Sequence, residues 1–179
     1  MDVLSLLKKD HKTVGALLDE AKRCEPGDGR LADLAEEIES ALTVHAAIEE
    51  KYFYPALRDR SEESDDIVDV FEAYTEHELI KKLIALLKSG RQPDEQFKAE
   101  LQVLAENVQH HVKEEESTIF GLARHMLDEE ELEELGAEME SAKNRLMRSP
   151  RASSRKRSAP KRSAKKNTPS RAARRTTRR

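Results

Sequence analysis

The chain has 179 residues, with 32 Lys and Arg against 36 Asp and Glu, one cysteine, seven aromatics and no tryptophan, so charge is denser than in an ordinary globular domain. Residues 148–179 hold 14 of the basic residues and no acid, which puts the first 147 residues at −18 and the tail at +14. The lone Cys24 excludes an intramolecular disulfide, no apolar run approaches the roughly 18 residues of a membrane span, and the N-terminus lacks the long apolar core of a secretory signal. A soluble, cytoplasmic protein with no membrane partner is expected.

Gly and Pro are clustered, and between the clusters lie stretches of Leu, Ala, Glu and Lys, which lose least on entering a helix. A first helix is predicted near 2–23, ended by the Glu-Pro-Gly-Asp-Gly run at 25–29, and a second near 30–58, its last turn kinked or ended by Pro55. Ser61 or Ser64 should cap a third helix running to about Lys88, residues 89–93 turn the chain, and a fourth helix runs from near Asp94 to about Met126. Short connections imply antiparallel neighbours, so 1–127 reads as an all-α, up-down-up-down four-helix bundle.

Residues 128–147 read as an additional helix. Its acidic start suits a helix N-terminus, and Leu132, Leu135, Met139, Ala142 and Leu146 form one narrow apolar seam, expected to dock on the bundle, with a monomer or a dimer through this helix as the alternatives. The last segment, 148–179, has only Ala as an apolar type and cannot bury enough surface to offset its ordering entropy, so it is expected to be disordered.

Shifting the chain by 66 residues places His11 on His77, His45 on His111, Glu49 on Glu115, Glu50 on Glu116, Tyr54 on Phe120 and Pro55 on Gly121. Two copies of one helical hairpin are the simplest reading, each with a His on its first helix and a His-x3-Glu 34 residues further on. His45 and Glu49 lie one turn apart, within roughly 40° of the centre of the stripe Leu31, Leu34, Ile38, Leu42, Phe53 and Ala56. Glu115 falls inside the stripe Leu101, Leu104, Val108, Val112, Ile119 and Leu122, with His111 near its edge. His11 and His77 join the apolar faces of the first and third helices. The rival pair His110 and Glu114 points away, since His110 lies about 145° from the stripe centre.

Two carboxylates facing each other in a core repel and lose hydration, at a cost of several kcal/mol, unless cations compensate them. Imidazoles and carboxylates from four facing helices are how bundles hold a pair of iron or manganese ions. The alternative is that each His is satisfied within the core and each Glu meets a Lys or Arg. The doubled spacing on four inward faces favours a metal site at His11, His45, Glu49, His77, His111 and Glu115.

At Asp10-His11-Lys12, His45-Ala-Ala-Ile-Glu49-Glu50, Glu76-His77-Glu78 and His111-Val-Lys-Glu-Glu115-Glu116 the sequence resembles the hemerythrin-like, or HHE cation-binding, family. The resemblance implies two iron ions, with manganese or zinc as alternatives, one bound by His11 and His45 and the other by His77 and His111, with Glu49 and Glu115 bridging. Oxygen-carrying members place a further His one turn from the third-helix His, whereas this chain has Ala73 and Lys81 there. Glu50, Tyr74, Glu78 and Glu116 are the candidates to complete the ligand set. The aromatics Tyr52, Phe53, Tyr54, Phe71, Tyr74 and Phe120 are expected to form the core around the pocket.

The basic tail carries Arg155, Lys156, Arg157, Lys161, Arg162, Lys165, Lys166, Arg174, Arg175, Arg178 and Arg179 between Ala, Ser and Pro, and resembles tails of linker histones and basic nucleoid proteins. Such a segment suits neutralisation of DNA or RNA phosphates without sequence readout, which would make the protein nucleoid-associated, or nuclear in a host with a nucleus. Folding back on the acidic body is the alternative. Three functions follow: binding dioxygen or a related oxidant for sensing, storage or stress response; an enzyme that decomposes peroxide, catalase-like, or handles nitric oxide; and a nucleic-acid-associated protein.

Overall fold

The computed structural model describes residues 1–87 and 92–148, and the architecture starts from how each helix is capped. Asp2 accepts the Ser5 N–H, Asp28 that of Arg30 and Asp94 that of Phe97, at 2.8 to 2.9 Å, opening α1 (Val3–Arg23), α2 (Gly29–Ile48) and, further on, α5 (Glu95–Glu114). Neither serine caps the third long helix as the sequence suggested. This helix, α4 (Ser64–Leu86), starts after Glu63 without a side-chain cap, and the Ser61 hydroxyl donates to the Leu57 carbonyl at 2.9 Å, closing the preceding rod instead. The last helix, α7 (Glu129–Arg148), is opened by a reciprocal pair in which Asp128 and Glu131 each accept the other's N–H. The basic segment 149–179, with the eleven candidate nucleic-acid contacts, and residues 88–91 of the third connection lie outside the described residues.

Pro55 neither ends nor kinks the second rod where the sequence suggested. After Glu49 the chain widens into a π-helical turn, π1 (Glu49–Phe53), in which the Tyr54 N–H reaches the Glu49 carbonyl, and then continues as α3 (Tyr54–Arg58). Pro55 has no N–H to lose, so a register change just before it leaves no orphan donor at that position. The second half repeats the device: π2 (Glu115–Ile119) leads into α6 (Phe120–Met126), and the Phe120 N–H reaches the Glu115 carbonyl.

One extra residue in a turn rotates everything after it. The buried positions become Phe53, Tyr54 and Leu57, and in the second half Ile119, Phe120 and Ala123, while Ala56 and Leu122, expected on the apolar stripes, are only half-buried. Phe71, expected in the core, is 52% exposed on α4.

These four rods form an all-α bundle, with no strand among the described residues. No described helix is long and apolar enough to cross a membrane. Two apolar clusters fill the interior, one around Leu7, Ile48, Phe53 and Phe120 and the other around Leu18, Leu34, Ile38 and Leu101. A layer of buried imidazoles and carboxylates separates them. On its apolar side α7 packs against the first cluster through Met139 and Ala142, with Leu132 and Leu135 half-buried, whereas Leu146 at the end of the seam is exposed.

Candidate metal centre

His11 projects from α1, His45 from the last turn of α2, His77 from α4 and His111 from the last turn of α5; Glu49 and Glu115 open the two π turns. All six are at most 6% exposed. The structure gathers them into two groups that share Glu49: His11, His45, Glu49 and Glu115, and Glu49, His77 and His111, with the donor atoms of each group within 4.8 Å of one another. His11 Nε2 lies 3.0 Å from Glu115 Oε2, His45 Nε2 3.2 Å from Glu49 Oε1, and His77 Nε2 3.4 Å from Glu49 Oε2.

These approaches are close but misaligned. His11 Nε2, both ring nitrogens of His45, both oxygens of Glu49 and Glu115 Oε2 have no aligned hydrogen bond although all are buried, a deficit of about 1–3 kcal/mol for each group. Donors that converge on common points rather than on each other are what a cation satisfies. His77 Nε2 and His111 Nε2 stand 3.1 Å apart, a separation that suits either a hydrogen bond with one ring protonated or two nitrogens sharing a cation at about 2.1 Å.

The electrostatics agree. Burial pushes the Glu49 carboxyl well above the usual carboxylate range, and the charge of Glu115 adds to that. Burial acts on Glu115 in the same direction, but His11, His111 and His45 around it outweigh it and bring it down to about 2. Without cations Glu49 is therefore the carboxylate of the pair that holds a proton more readily. Burial, opposed by Asp10, takes His45 down to about 4, and burial lowers His77 as well, whereas at His11 burial is outweighed by the carboxylates of Glu115 and Glu116, which raise it. Neutral imidazole is the form that binds a metal.

Each ring is also held from outside. Nδ1 of His11 meets Glu116 at 2.9 Å, Nδ1 of His77 meets Glu50 at 2.9 Å, and Nδ1 of His111 meets Glu76 at 2.8 Å. Asp10 Oδ2 faces Nδ1 of His45 at 3.8 Å, a charge contact rather than a hydrogen bond. Such carboxylates fix ring orientation and leave Nε2 for the metal. Glu50 and Glu116, taken from the sequence as possible ligands, thus stand behind the imidazoles. Glu78 turns to the surface and pairs with Lys81, and the Tyr74 hydroxyl donates to the Glu50 carbonyl, so neither reaches the cluster. His110, 64% exposed, stays outside as expected.

The sequence reading gave Asp10 and Glu76 no role, although the 66-residue shift pairs these two acids and each directly precedes a repeat His. It also placed Tyr54 only in the core. The Tyr54 hydroxyl donates to Glu115 Oε1 at 2.9 Å and lies 3.4 Å from His77 Nε2, facing the subsite that lacks a further His. Its burial and the charges of Glu115 and Glu49 raise the phenol well above its ordinary pKa.

Comparison with known proteins bears on the same residues. The model of the hemerythrin HHE cation-binding domain matches residues 2–123. A DNA nickase from Nostoc sp. (strain PCC 7120) is 30% identical over 146 residues, 82% of this chain, and the chain spans only 40% of that relative's length. The crystal structure of an HHE cation-binding domain-containing protein from Mycobacterium kansasii superposes with a TM-score of 0.74 at 21% identity, covering 89% of this chain and 95% of that one.

Proposed function

The chain belongs to the hemerythrin HHE cation-binding domain family, and on that premise we propose that the cluster holds two iron ions and takes a small oxidant. His11 and His45 would serve one ion and His77 and His111 the other, with Glu49 and Glu115 between them. Non-haem iron supplies redox electrons and exchangeable coordination positions. The observation that carries this reading is the shortage of protein donors at the His77 and His111 subsite, beside the Tyr54 hydroxyl. A subsite with fewer side-chain donors has positions to offer a ligand, and one enclosed between two apolar clusters admits only small molecules. There the Tyr54 hydroxyl provides a hydrogen-bond donor, the outer carboxylates keep the rings aimed, and the apolar clusters exclude water.

Binding of dioxygen or a related oxidant, for sensing, storage or stress response, is the reading we place first. Decomposition of peroxide or handling of nitric oxide is the second, favoured by a phenol that could pass a proton at the same point. Elemental analysis of protein from its native host should find about two irons per chain; manganese or zinc instead would change the metal and the chemistry. A spectral change on oxygenation that reverses in vacuum supports binding. Sustained oxygen release from peroxide, lost in His77→Ala, supports turnover.

A nucleic-acid association rests on separate support: the +14 run in 148–179 against a body at −18, and the DNA nickase named among the relatives. Full-length protein should shift DNA or RNA weakly, with affinity falling in salt at a log–log slope of about −0.9 per phosphate contact on duplex DNA. Removing 148–179 should abolish the shift and leave iron content unchanged. Failure of the full chain to shift any nucleic acid at low salt refutes this association.

A further inference from the structure

The helix α7 lies beyond the residues that the family model matches, yet it touches the metal layer. Gly136 brings it so close to the start of α1 that a Cβ there would stand 2.4 Å from the Met1 carbonyl oxygen. Seven residues on, and so on the same face, Lys143 extends inward and forms an ion pair with Oδ1 of the buried Asp10. The other oxygen of Asp10 is the one that faces His45.

The repeat shows why Asp10 needs a second anchor. Its counterpart Glu76 reaches the equivalent ring, His111, at 2.8 Å, but Asp10 is one methylene shorter and stops 3.8 Å from His45. A carboxylate that cannot close its hydrogen bond to the ring has nothing of its own to hold it in place. A buried carboxylate without a partner costs several kcal/mol and turns towards water. Lys143 supplies the partner.

We propose that Lys143 is a positioning residue for the His11 and His45 subsite, holding the Asp10 carboxylate aimed at His45 from outside the four-helix domain. Through Asp10 the first subsite then depends on the docking of α7, whereas Glu76, the matching acid behind His111, lies on α4 within the bundle. Lys81 plays the corresponding part for Glu50 behind His77 at 2.8 Å, but from within the bundle.

This inference rests on the two-cation reading, and the test separates the two. Cobalt(II) is titrated into metal-free full-length protein and followed by calorimetry and by visible absorption. Wild type should show two binding steps. Lys143→Met should weaken one step about ten-fold, the lower end of what loss of a ring-orienting partner costs a metal site, and leave the other step and the helical content unchanged. Lys143→Arg should restore most of the lost affinity. Asp10→Glu, which lets the carboxylate reach the ring as Glu76 does, should make Lys143→Met nearly silent, a rescue that a purely structural role for Lys143 would not allow. Two steps in wild type with an unaltered Lys143→Met, or equal loss at both steps that neither Arg nor Asp10→Glu rescues, overturns the inference alone. A wild type that takes up no cobalt overturns the two-cation reading and the inference with it.

Discussion

The two halves of the bundle place an aromatic ring at the same point, and the rings differ by one oxygen atom. Phe120 stacks on His11 with centroids 6.0 Å apart, and its repeat mate Tyr54 lies 5.4 Å from His77. Around them the arrangement is nearly two-fold: Glu116 stands behind His11 as Glu50 stands behind His77, and Asp10 and Glu76 take equivalent places behind His45 and His111. The departures from that symmetry are a hydroxyl at Tyr54 and a shorter acid at Asp10. A duplicated scaffold can therefore build two unequal subsites by changing side-chain length and polarity at matched positions, with no change in the backbone.

The comparison can be broken most severely at its shared member. Glu49→Ala should empty both subsites, taking metal content from about two ions per chain to near zero by elemental analysis. In the metal-free protein Glu49→Gln should instead raise stability at neutral pH, because burial and the Glu115 charge disfavour the ionised form of Glu49 and the amide carries no such cost; a lower denaturation midpoint would contradict that. His77→Ala acts on one side only and should remove about one of the two ions, leaving the one at His11 and His45.

Acid acts on both halves through buried imidazoles, and most strongly through His45. Its pKa when folded, about 4, lies below the unfolded value of 6.5. Below pH 6.5 the unfolded chain therefore binds a proton that the folded chain refuses, so this ring makes stability fall as pH drops from 6.5 to about 4. The expected share is about 3 kcal/mol over that window, at ~1.4 kcal/mol per pH unit. Urea midpoints of metal-free protein at pH 7 and pH 5 should fall further for wild type than for His45→Gln; parallel losses would rule this out. The smallest effect sharpens the comparison. Tyr54→Phe makes the two aromatics alike and leaves Glu115 Oε1 without the phenol donor, so metal-free stability should drop by about 1 kcal/mol and spectroscopic changes should reach both subsites through Glu115 while Phe120→Leu leaves that donor in place.

Much of this was legible in the sequence, because the His-x3-Glu spacing and the apolar stripes concern residues within a few turns of each other, and the 66-residue repeat carries the same local pattern into the second half. The helices and the six gathered residues follow from those local patterns. The π turns did not, since a register read at 100° per residue continues straight past Glu49 and Glu115, predicting Ala56 and Leu122 inside where Leu57 and Ala123 are found. The hydroxyl contact of Tyr54, read from the sequence only as a core aromatic, depends on the same register change, and Tyr74, one of the four candidates to complete the ligand set, spends its hydroxyl on the Glu50 carbonyl. Lys143 lies 133 residues from Asp10 in sequence, and only the docking of α7 brings them together.

The π turns carry a further consequence, for how insertions and deletions act on this chain. Both begin at a carboxylate of the metal layer and end immediately before the aromatic that lies over an imidazole. Loss of one residue within 50–53 would remove the extra residue and let the rod continue as an ordinary helix with Tyr54 and Leu57 still facing inward, whereas straightening the turn at its present length would swing Tyr54 about 100° around the axis, away from Glu115. In an alignment of relatives, a one-residue gap just after either motif would thus mark a rod without its π turn that still presents the same aromatic to the pocket.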